Sequence, residues 1–508
     1  MLRFIPQKRK FHGLLCILTL LHGCVSTGGI GPREQMISTE KVAGGQDIAR
    51  AVKEAGWPRS QWWLAYGDPQ LDRWIRAAVG SNPDVAMAAG RLREAKAIAG
   101  LAESKESLQI TGEGAIRRRN WPDDPFYGPG GLSGTQTWDN TASLVLSYPL
   151  DLWNRHENAA ARFLDLAHMS AAQERMVRLD LQGAIVRVYV EFSLHYAERD
   201  VMQATLSQQM QMQQLAEQRL KGGLGTYLEV SQTETPIAET KRQIEALDEA
   251  IALSANQLAA LSGRGPGAAA DLVRPHLSLD QRLVVPSALT ADLVGRRPDV
   301  VASRWNVAAQ ARGIDVAHAN FYPNIDLVGS LGYIASGGDV LSFLANNKRN
   351  YSVGPALSLP IFDGGRLRSE LGQASAEYDV AVAGYNQTLI QALRQISEQL
   401  IRSHSVDRQK VFIEEGLVSA QRSFDIAMTA YQRGLTGYLE VLNAQTRLLH
   451  ERRIQQRNQA AHLATYAGLM VALGGDVSAQ TDDVGKDRLL PSEPPVVMKA
   501  VNRLMGQE

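Results

Sequence analysis

Two almost identical octapeptides carry the residues best suited to chemistry in this sequence. GLGTYLEV begins at position 223 and GLTGYLEV begins at position 434, so a carboxylate follows a glycine-rich turn twice, as Glu229 and as Glu440. In the first copy, Thr226 and Glu229 have the spacing of a capping box, which gives Glu229 a structural role at a helix start. The second copy has Gly437 in place of the threonine, so Glu440 lacks the hydroxyl partner.

The N-terminus reads as an export signal. Basic residues at positions 3 to 10 precede the apolar run LLCILTLL, which is far shorter than the roughly 20 residues of a membrane-spanning helix. We interpret residues 1–23 as a signal peptide. Of the only two cysteines, Cys16 lies inside that signal, so a mature chain that begins at Cys24 can form no internal disulfide.

Cys24 is the predicted lipidation site. Leu21-His22-Gly23-Cys24 resembles the lipobox of bacterial lipoproteins, in which the cysteine becomes the lipidated first residue. By the same resemblance, Val25 in place of aspartate favours sorting to the outer membrane. The alternative is an ordinary signal peptide with an incidental cysteine.

Composition and motifs argue against two broad classes of function. The 53 basic and 53 acidic side chains cancel, which removes the positive field of a nucleic-acid-binding surface. The sequence has no HExxH pair, no P-loop and no GxGxxG set between a strand and a helix. We therefore predict no enzyme activity, no catalytic residue, no metal site, no cofactor and no nucleic-acid partner.

The chain contains an internal repeat. NPDV at positions 82–85 parallels RPDV at 297–300, and SYPLDLW at 147–153 parallels SLPIFDG at 358–364. Together with the octapeptides, these landmarks occur in one order at nearly constant spacing, which is typical of a duplicated unit. We predict a signal peptide at 1–23, a lipid-anchored N-terminal segment at 24–67, repeats at 68–280 and 285–475, and a polar, disordered tail at 476–508.

Each repeat holds unusually long helical segments. No proline occurs between Pro149 and Pro236 or between Pro360 and Pro491, so nothing blocks long helices there. We expect residues 155–221 to form one helix about 100 Å long. Isoleucine and leucine recur at intervals of seven, as in a coiled-coil seam, at Ile237, Ile244, Ile251 and Leu258.

Each repeat also contains two alternating segments, which we predict to be strands. In one of them Leu144, Leu146 and Tyr148 point to one side, and Ser143 and Ser147 to the other. An ordinary half-buried sheet gives the same alternation. In an exported chain, however, strands of about ten residues with glycine-rich loops favour lipid-facing barrel strands. Four strands cannot close a barrel, so several chains must contribute.

The whole set of motifs resembles the TolC-type outer-membrane efflux factors, specifically the lipoprotein branch that serves resistance-nodulation-division pumps. The resemblance covers about residues 60 to 475. The motifs that carry it are WWLAYGDPQLD from position 62, YPLDLWNR from 148, GRRPDVVASRW from 295, ANFYPNIDL from 319, LPIFDGGRLR from 359 and YQRGLTGYLEVLNAQ from 431.

This resemblance implies a mainly α-helical homotrimer with a transmembrane β-barrel. Four strands per chain would form a twelve-stranded barrel in the outer membrane, above a coiled-coil tunnel that extends into the periplasm. The helix-hairpin tips would contact a periplasmic membrane-fusion adaptor, which joins the duct to an inner-membrane pump. The implied tip residues are Gly222, Gly223, Leu224 and Gly225 in the first repeat and Gly434, Leu435, Thr436 and Gly437 in the second.

The resemblance also implies which residues form the periplasmic entrance. Positions that match Tyr431, Glu440 and Asn443 line or latch the closed entrance in the family, and Glu229 belongs to the same region of the first repeat. Asn443 stands where the family usually has a carboxylate. The expected function is a passive exit duct for small toxic compounds or drugs. The alternatives are a protein-secretion duct of the same fold, and a lipid-anchored coiled-coil scaffold without a pore.

Overall fold

The computed structural model describes residues 27–37, 61–124, 126, 131–279, 296–337 and 339–475. The predicted signal peptide, Cys24 and the predicted tail lie outside these residues, as do parts of the segment predicted at 24–67. The described residues contain seven α-helices and four β-strands.

The elements follow one another in the order expected for a duplicated unit. The first repeat holds α1 (Pro69–Ser81), α2 (Pro83–Ser104), β1 (Gln109–Asn120), β2 (Gln136–Pro149), α3 (Arg155–Lys221) and α4 (Tyr227–Leu261). The second holds α5 (Pro298–Ala319), β3 (Asn324–Ser336), β4 (Arg349–Ser358), α6 (Arg366–Gln432) and α7 (Tyr438–Ala472).

The long helices have the same length in both repeats. Helices α3 and α6 each contain 67 residues, and α4 and α7 each contain 35. The helix predicted over 155–221 is confirmed, because no proline interrupts that segment. Two internal repeats are therefore present in the fold, whereas the domain limits at 68–280 and 285–475 stay a prediction. Among the described residues, no helix is both long and apolar enough to cross a membrane.

The helices pair as two antiparallel hairpins that lie side by side. Helix α3 packs against α4, α6 packs against α7, and α7 also contacts α3. In the predicted seam of α4, Ile237, Ile251 and Leu258 are buried and Ile244 is half-buried, which agrees with a seam of seven-residue spacing. Helix α4 continues through Pro236.

The four strands form one antiparallel sheet in the order β1-β2-β3-β4. Gly112, Leu144, Leu331 and Tyr351 lie in one cross-strand row, and the next row holds Glu113, Ser143, Gly332 and Asn350. Because successive side chains point to opposite faces, the sheet has an apolar face and a polar face.

The largest core lies where the N-terminal elements pack around the middle of the helices. Trp62, Tyr66 and Trp74 are buried there against α3 and α7. Asp68 caps α1 by accepting the Gln70 N–H group, and it also accepts the hydroxyl of Tyr189 on α3 at 2.8 Å. This contact fixes α1 against the first hairpin, whose tip lies at the far end from the sheet.

Candidate functional site

The two helix-hairpin tips have the same backbone cap. In the first tip, the Leu224 N–H group donates to the Arg219 carbonyl at 2.8 Å and Gly223 donates to Leu220 at 3.0 Å. In the second tip, Leu435 donates to Ala430 at 2.8 Å and Gly434 to Tyr431 at 3.0 Å. This is the Schellman motif, which requires a left-handed residue, and Gly223 and Gly434 have φ values of 75° and 73°.

Two of the predicted tip residues present apolar surface to solvent. Leu224 is 74% exposed and Leu435 is 76% exposed, although the leucine at this position of a Schellman motif often packs back onto its helix. Gly225 is in a crowded place, because an added Cβ would lie 3.1 Å from the Glu229 Oε2 atom and from the Arg219 Cβ atom. Gly222, Thr436 and Gly437 complete the two turns.

The second tip packs inward against the first hairpin. Tyr431, at the end of α6, and Tyr438, at the start of α7, are buried with their rings 6.1 Å apart in an edge-on arrangement. Met212 of α3 belongs to the same cluster. Burial raises the pKa of the Tyr438 hydroxyl to about 12, with Tyr431 as a second cause. The hydroxyls of both tyrosines are buried without a hydrogen-bond partner among the described residues.

Arg219 joins the two hairpins. Its guanidinium donates one hydrogen bond to the Tyr431 carbonyl at 3.0 Å and another to the Leu224 carbonyl at 3.1 Å. The same group lies 4.8 Å from the centroid of the Tyr431 ring, within the range of a cation–π contact. One side chain of α3 therefore holds the tip of its own hairpin and the end of α6 at once.

Glu229 combines a cap with a position beside Tyr431. Its N–H group donates to the Thr226 Oγ1 atom at 3.3 Å, so that half of the predicted capping box is present. Its Oε2 atom is buried and has no hydrogen-bond partner in the described part of the chain. Burial raises the pKa of Tyr431, the Glu229 carboxylate raises it further, and the Arg219 charge opposes both. Glu229 thus lies within electrostatic reach of Tyr431.

Glu440 and Asn443 lie apart from this buried group. Both are exposed on the first turns of α7. The α7 N-cap, Gly437, provides no side-chain hydrogen bond, as its sequence predicted. Of the four residues predicted for the entrance, the structure places Tyr431 and Glu229 within electrostatic reach of each other and leaves Glu440 and Asn443 on the surface of the single chain.

Sequence reasoning missed two residues of the site, Arg219 and Tyr438. The signal for Arg219 was present in the repeat itself, because a position-by-position comparison of the repeats pairs it with Ala430. Tyr438 pairs with Tyr227, so the comparison gives no signal for it. Where a charged or aromatic residue in one repeat aligns with a small or aliphatic residue in the other, the position has a role in only one repeat.

Comparison with known proteins agrees with this architecture. The family model described as "Outer membrane efflux protein" matches residues 74–264 and 289–475. The fusaric acid resistance protein FusA of Burkholderia cepacia is 43% identical over 476 residues, which cover 93% of this chain and 89% of that protein. The multidrug resistance outer membrane protein MdtP of Shigella flexneri is 27% identical over 479 residues, covering 92% of this chain and 97% of that protein.

A solved structure has the same fold. The outer membrane protein VceC from Vibrio cholerae aligns with a TM-score of 0.77 and 31% identity, covering 82% of this chain and 99% of that one. An amphipathic four-stranded sheet joined to two long helical hairpins therefore defines a channel of the TolC type. The chain belongs to the outer membrane efflux protein family.

Family membership decides several of the expectations drawn from the sequence. The TolC-type fold, the role as an outer-membrane efflux duct and the location in the outer membrane with extension into the periplasm are confirmed. Lipidation at Cys24 falls on a residue outside the described ranges and stays a prediction. The roles of the tip and entrance residues also stay predictions.

Proposed function

We propose that this chain is the outer-membrane exit duct of a tripartite efflux pump and that it works as a homotrimer. The main support for the proposal is that one amphipathic sheet is connected to two helical hairpins of matched length. The sheet suits a lipid boundary on one face and a water-filled lumen on the other. The hairpins, about 100 Å along their longer helices, suit a passage through the periplasm.

The sheet edges support the trimer. Strands β1 and β4 each have one neighbour in the described chain, so each presents a row of backbone N–H and C=O groups on its other side. An unpaired strand edge is not tolerated in hydrocarbon. Pairing β4 of one chain with β1 of the next removes both edges, and three chains then give a closed barrel of twelve strands.

The helix tips support contact with other pump components. In a trimer, two tips per chain would place six tips around the periplasmic end of the tunnel. The exposed Leu224 and Leu435 offer apolar contact points for a periplasmic adaptor. We propose that Tyr431, Glu229 and Arg219 hold the entrance in this arrangement, and that Glu440 and Asn443 face the pore.

The cargo that fits this duct is a small toxic compound. The relatives' names refer to resistance to fusaric acid and to multiple drugs. We propose that the chain supplies the passage only and that an inner-membrane resistance-nodulation-division pump supplies the energy. We also propose that Cys24 carries lipid as the mature first residue. We propose neither a catalytic role nor a cofactor for this duct.

The test combines assembly with export. In a strain that lacks its own outer-membrane duct, the chain and its cognate pump should restore resistance to small toxic compounds, and native mass spectrometry in detergent should show a trimer. Leu331→Arg, on the apolar face, should impair assembly because a charge near the bilayer midplane costs roughly 2 to 4 kcal/mol. Ser330→Arg, on the opposite face of the same strand, is the matched control.

Three outcomes would count against the proposal. A stable monomer with native helix and strand content would contradict the trimer. Release of a secreted protein without any gain in compound resistance would favour the secretion duct. Equal effects of the Leu331 and Ser330 substitutions would contradict the assignment of the two faces.

A further inference from the structure

The segment at residues 27–37 lies along the sheet end of α6 although its sequence forms no helix or strand. Three of its backbone N–H groups donate to side chains on α6. Arg33 and Glu34 both donate to the Asp379 Oδ1 atom, at 2.8 Å and 2.9 Å, and Ile37 donates to the Asn386 Oδ1 atom at 2.9 Å. The fold thus holds this segment without any regular secondary structure of its own.

Asn386 binds the segment in both directions. Besides accepting the Ile37 N–H group, it donates from its Nδ2 atom to the Gln35 carbonyl at 3.1 Å. A side-chain amide that accepts from one residue and donates to another copies the pairing of a neighbouring strand. Asp379 and Asn386 are seven residues apart, which is two helical turns or about 10 Å along one side of α6.

The segment is also anchored by one apolar side chain. Ile30 packs against a cluster formed by Ala317 near the end of α5, Phe321 just after that helix, and Leu367 and Leu371 at the start of α6. The side chains at positions 32–36 are exposed. The segment is therefore bound through its backbone and one isoleucine, while the exposed side chains contribute little to docking.

We propose that residues 27–37 are a strap and that Asp379 and Asn386 form its docking site, a site that takes an extended peptide through its backbone. The strap fastens the end of α5 to the start of α6, where both helices meet the sheet. The proposal concerns packing within one chain and stands whether or not Cys24 is lipidated or the duct exports compounds.

Amide hydrogen exchange, followed residue by residue on the full-length protein in detergent, tests the docking. In the unaltered protein the amides of Arg33, Glu34 and Ile37 should exchange slowly even though the first two residues are exposed. Asp379→Ala should speed exchange at Arg33 and Glu34 roughly tenfold or more, since hydrogen bonds to charged acceptors are among the stronger ones. Asn386→Ala should act first at Ile37.

Two matched pairs separate backbone recognition from a general loss of packing. Asp379→Asn keeps an oxygen acceptor and should restore much of the protection that Asp379→Ala removes. Glu34→Pro removes one N–H donor and should release the strap, whereas Glu34→Ala keeps the donor and should not. Trypsin provides a second readout for the Asp379→Ala and Asn386→Ala variants, because cleavage after Arg33 should be faster once the strap is released. Glu34→Pro is followed by amide exchange alone, since trypsin does not cleave an Arg–Pro bond.

Two results would contradict the proposed docking of the strap. Amides at 33, 34 and 37 that exchange at the rate of an unstructured peptide in the unaltered protein would show that the segment is not docked. Unchanged exchange and trypsin cleavage in the Asp379→Ala, Asn386→Ala double variant would show that these side chains are not its docking site. Loss of compound resistance alone would decide neither point, so export is not the readout.

Discussion

The two helix tips share a backbone but differ in the direction in which their side chains pack. Both end in the same Schellman motif and both are followed by a 35-residue helix. Yet Tyr227 at the start of α4 is 82% exposed, while Tyr438 at the matching position of α7 is 2% exposed. The tip of the second repeat is docked on its neighbour, and the tip of the first repeat presents its aromatic side chain outward.

The difference arises from neighbouring positions, because the tip tyrosine is present in both copies. The second repeat has Tyr431 where the first has Leu220, and Tyr431 provides the ring against which Tyr438 packs. The first repeat has Arg219 where the second has Ala430, and Arg219 reaches across to the end of α6. The two repeats therefore have the same tip backbone, and substitutions at two neighbouring positions let the second tip pack against the first hairpin.

Replacing the tip tyrosines by alanine, one at a time, should show the difference between the two tips most clearly. Tyr438→Ala removes a buried ring, and large aromatic-to-alanine changes in cores cost roughly 3 to 5 kcal/mol. We expect a value near the lower bound because the hydroxyl has no partner in the described chain. Local amide exchange at the start of α7 should therefore rise about a hundredfold.

Tyr227→Ala is the matched control for that experiment. The ring is exposed, so its removal should change local stability by less than about 0.5 kcal/mol. Equal effects of the two substitutions on amide exchange would mean that another surface buries Tyr227 in the assembled protein, and that the tips are packed alike.

Removing the bridging arginine should give the next largest effect. Arg219→Ala deletes two charged hydrogen bonds and a cation–π contact, which together should contribute about 2 kcal/mol at this partly exposed site. The tips should loosen, with faster amide exchange around Tyr431 and longer open times in single-channel recording. Arg219→Lys should rescue only in part, because an ammonium lacks the planar fork that reaches two carbonyls.

Substituting the neighbouring Lys221 is the control for loss of charge alone. Lys221 lies in the same helical turn and is exposed, so Lys221→Ala removes one positive charge without a bridging contact. If Lys221→Ala loosens the tips as much as Arg219→Ala does, the effect comes from net charge and the bridge has no special role.

The architecture could be predicted from the sequence because its signals are long and repeated. The proline-free run predicted α3 with its observed limits, and the alternating residues around Leu144 predicted the two faces of the sheet. The site was only partly predictable. Arg219 contacts a carbonyl 212 residues away, and no local pattern encodes a contact between two hairpins. Comparing the two repeats position by position was the one route to it.

A smaller effect should follow from exchanging the helix caps of the two tips. Thr226→Ala removes the hydroxyl that accepts the Glu229 N–H group, a loss of about 1 kcal/mol. Gly437→Thr should stabilise α7 by a few tenths of a kcal/mol up to about 1 kcal/mol. Gly437 has extended backbone angles that threonine adopts easily, and an added Cβ meets no atom within 4 Å.

Thermal unfolding and amide exchange at the first turns of α4 and α7 would measure both changes. Opposite signs at the two tips would support the view that the caps differ by a single hydroxyl. Destabilisation by Gly437→Thr would instead indicate that the assembled protein has no room for a side chain at the second tip.

The smallest effect on stability, and the one most specific to function, should come from Glu440. Its carboxylate is exposed, so Glu440→Gln should change the free energy of unfolding by less than about 0.5 kcal/mol. In the proposed trimer, however, three such carboxylates would converge on a narrow pore, where repulsion grows as water is restricted. A bound cation would relieve that repulsion. Glu440→Gln should therefore reduce cation preference and weaken block by divalent ions in single-channel recording.

Glu229→Gln completes the comparison, because it neutralises the matching residue of the first tip. Glu229 lies within electrostatic reach of Tyr431, and its cap contact is made by a backbone N–H group that the substitution keeps. Ion block should stay as in the unaltered channel, and any change should concern the opening of the entrance. Unchanged cation preference and ion block in Glu440→Gln would contradict the cation ring. A loss of ion block in Glu229→Gln alone would assign the ring to the first tip, and the two repeats would then have the opposite roles.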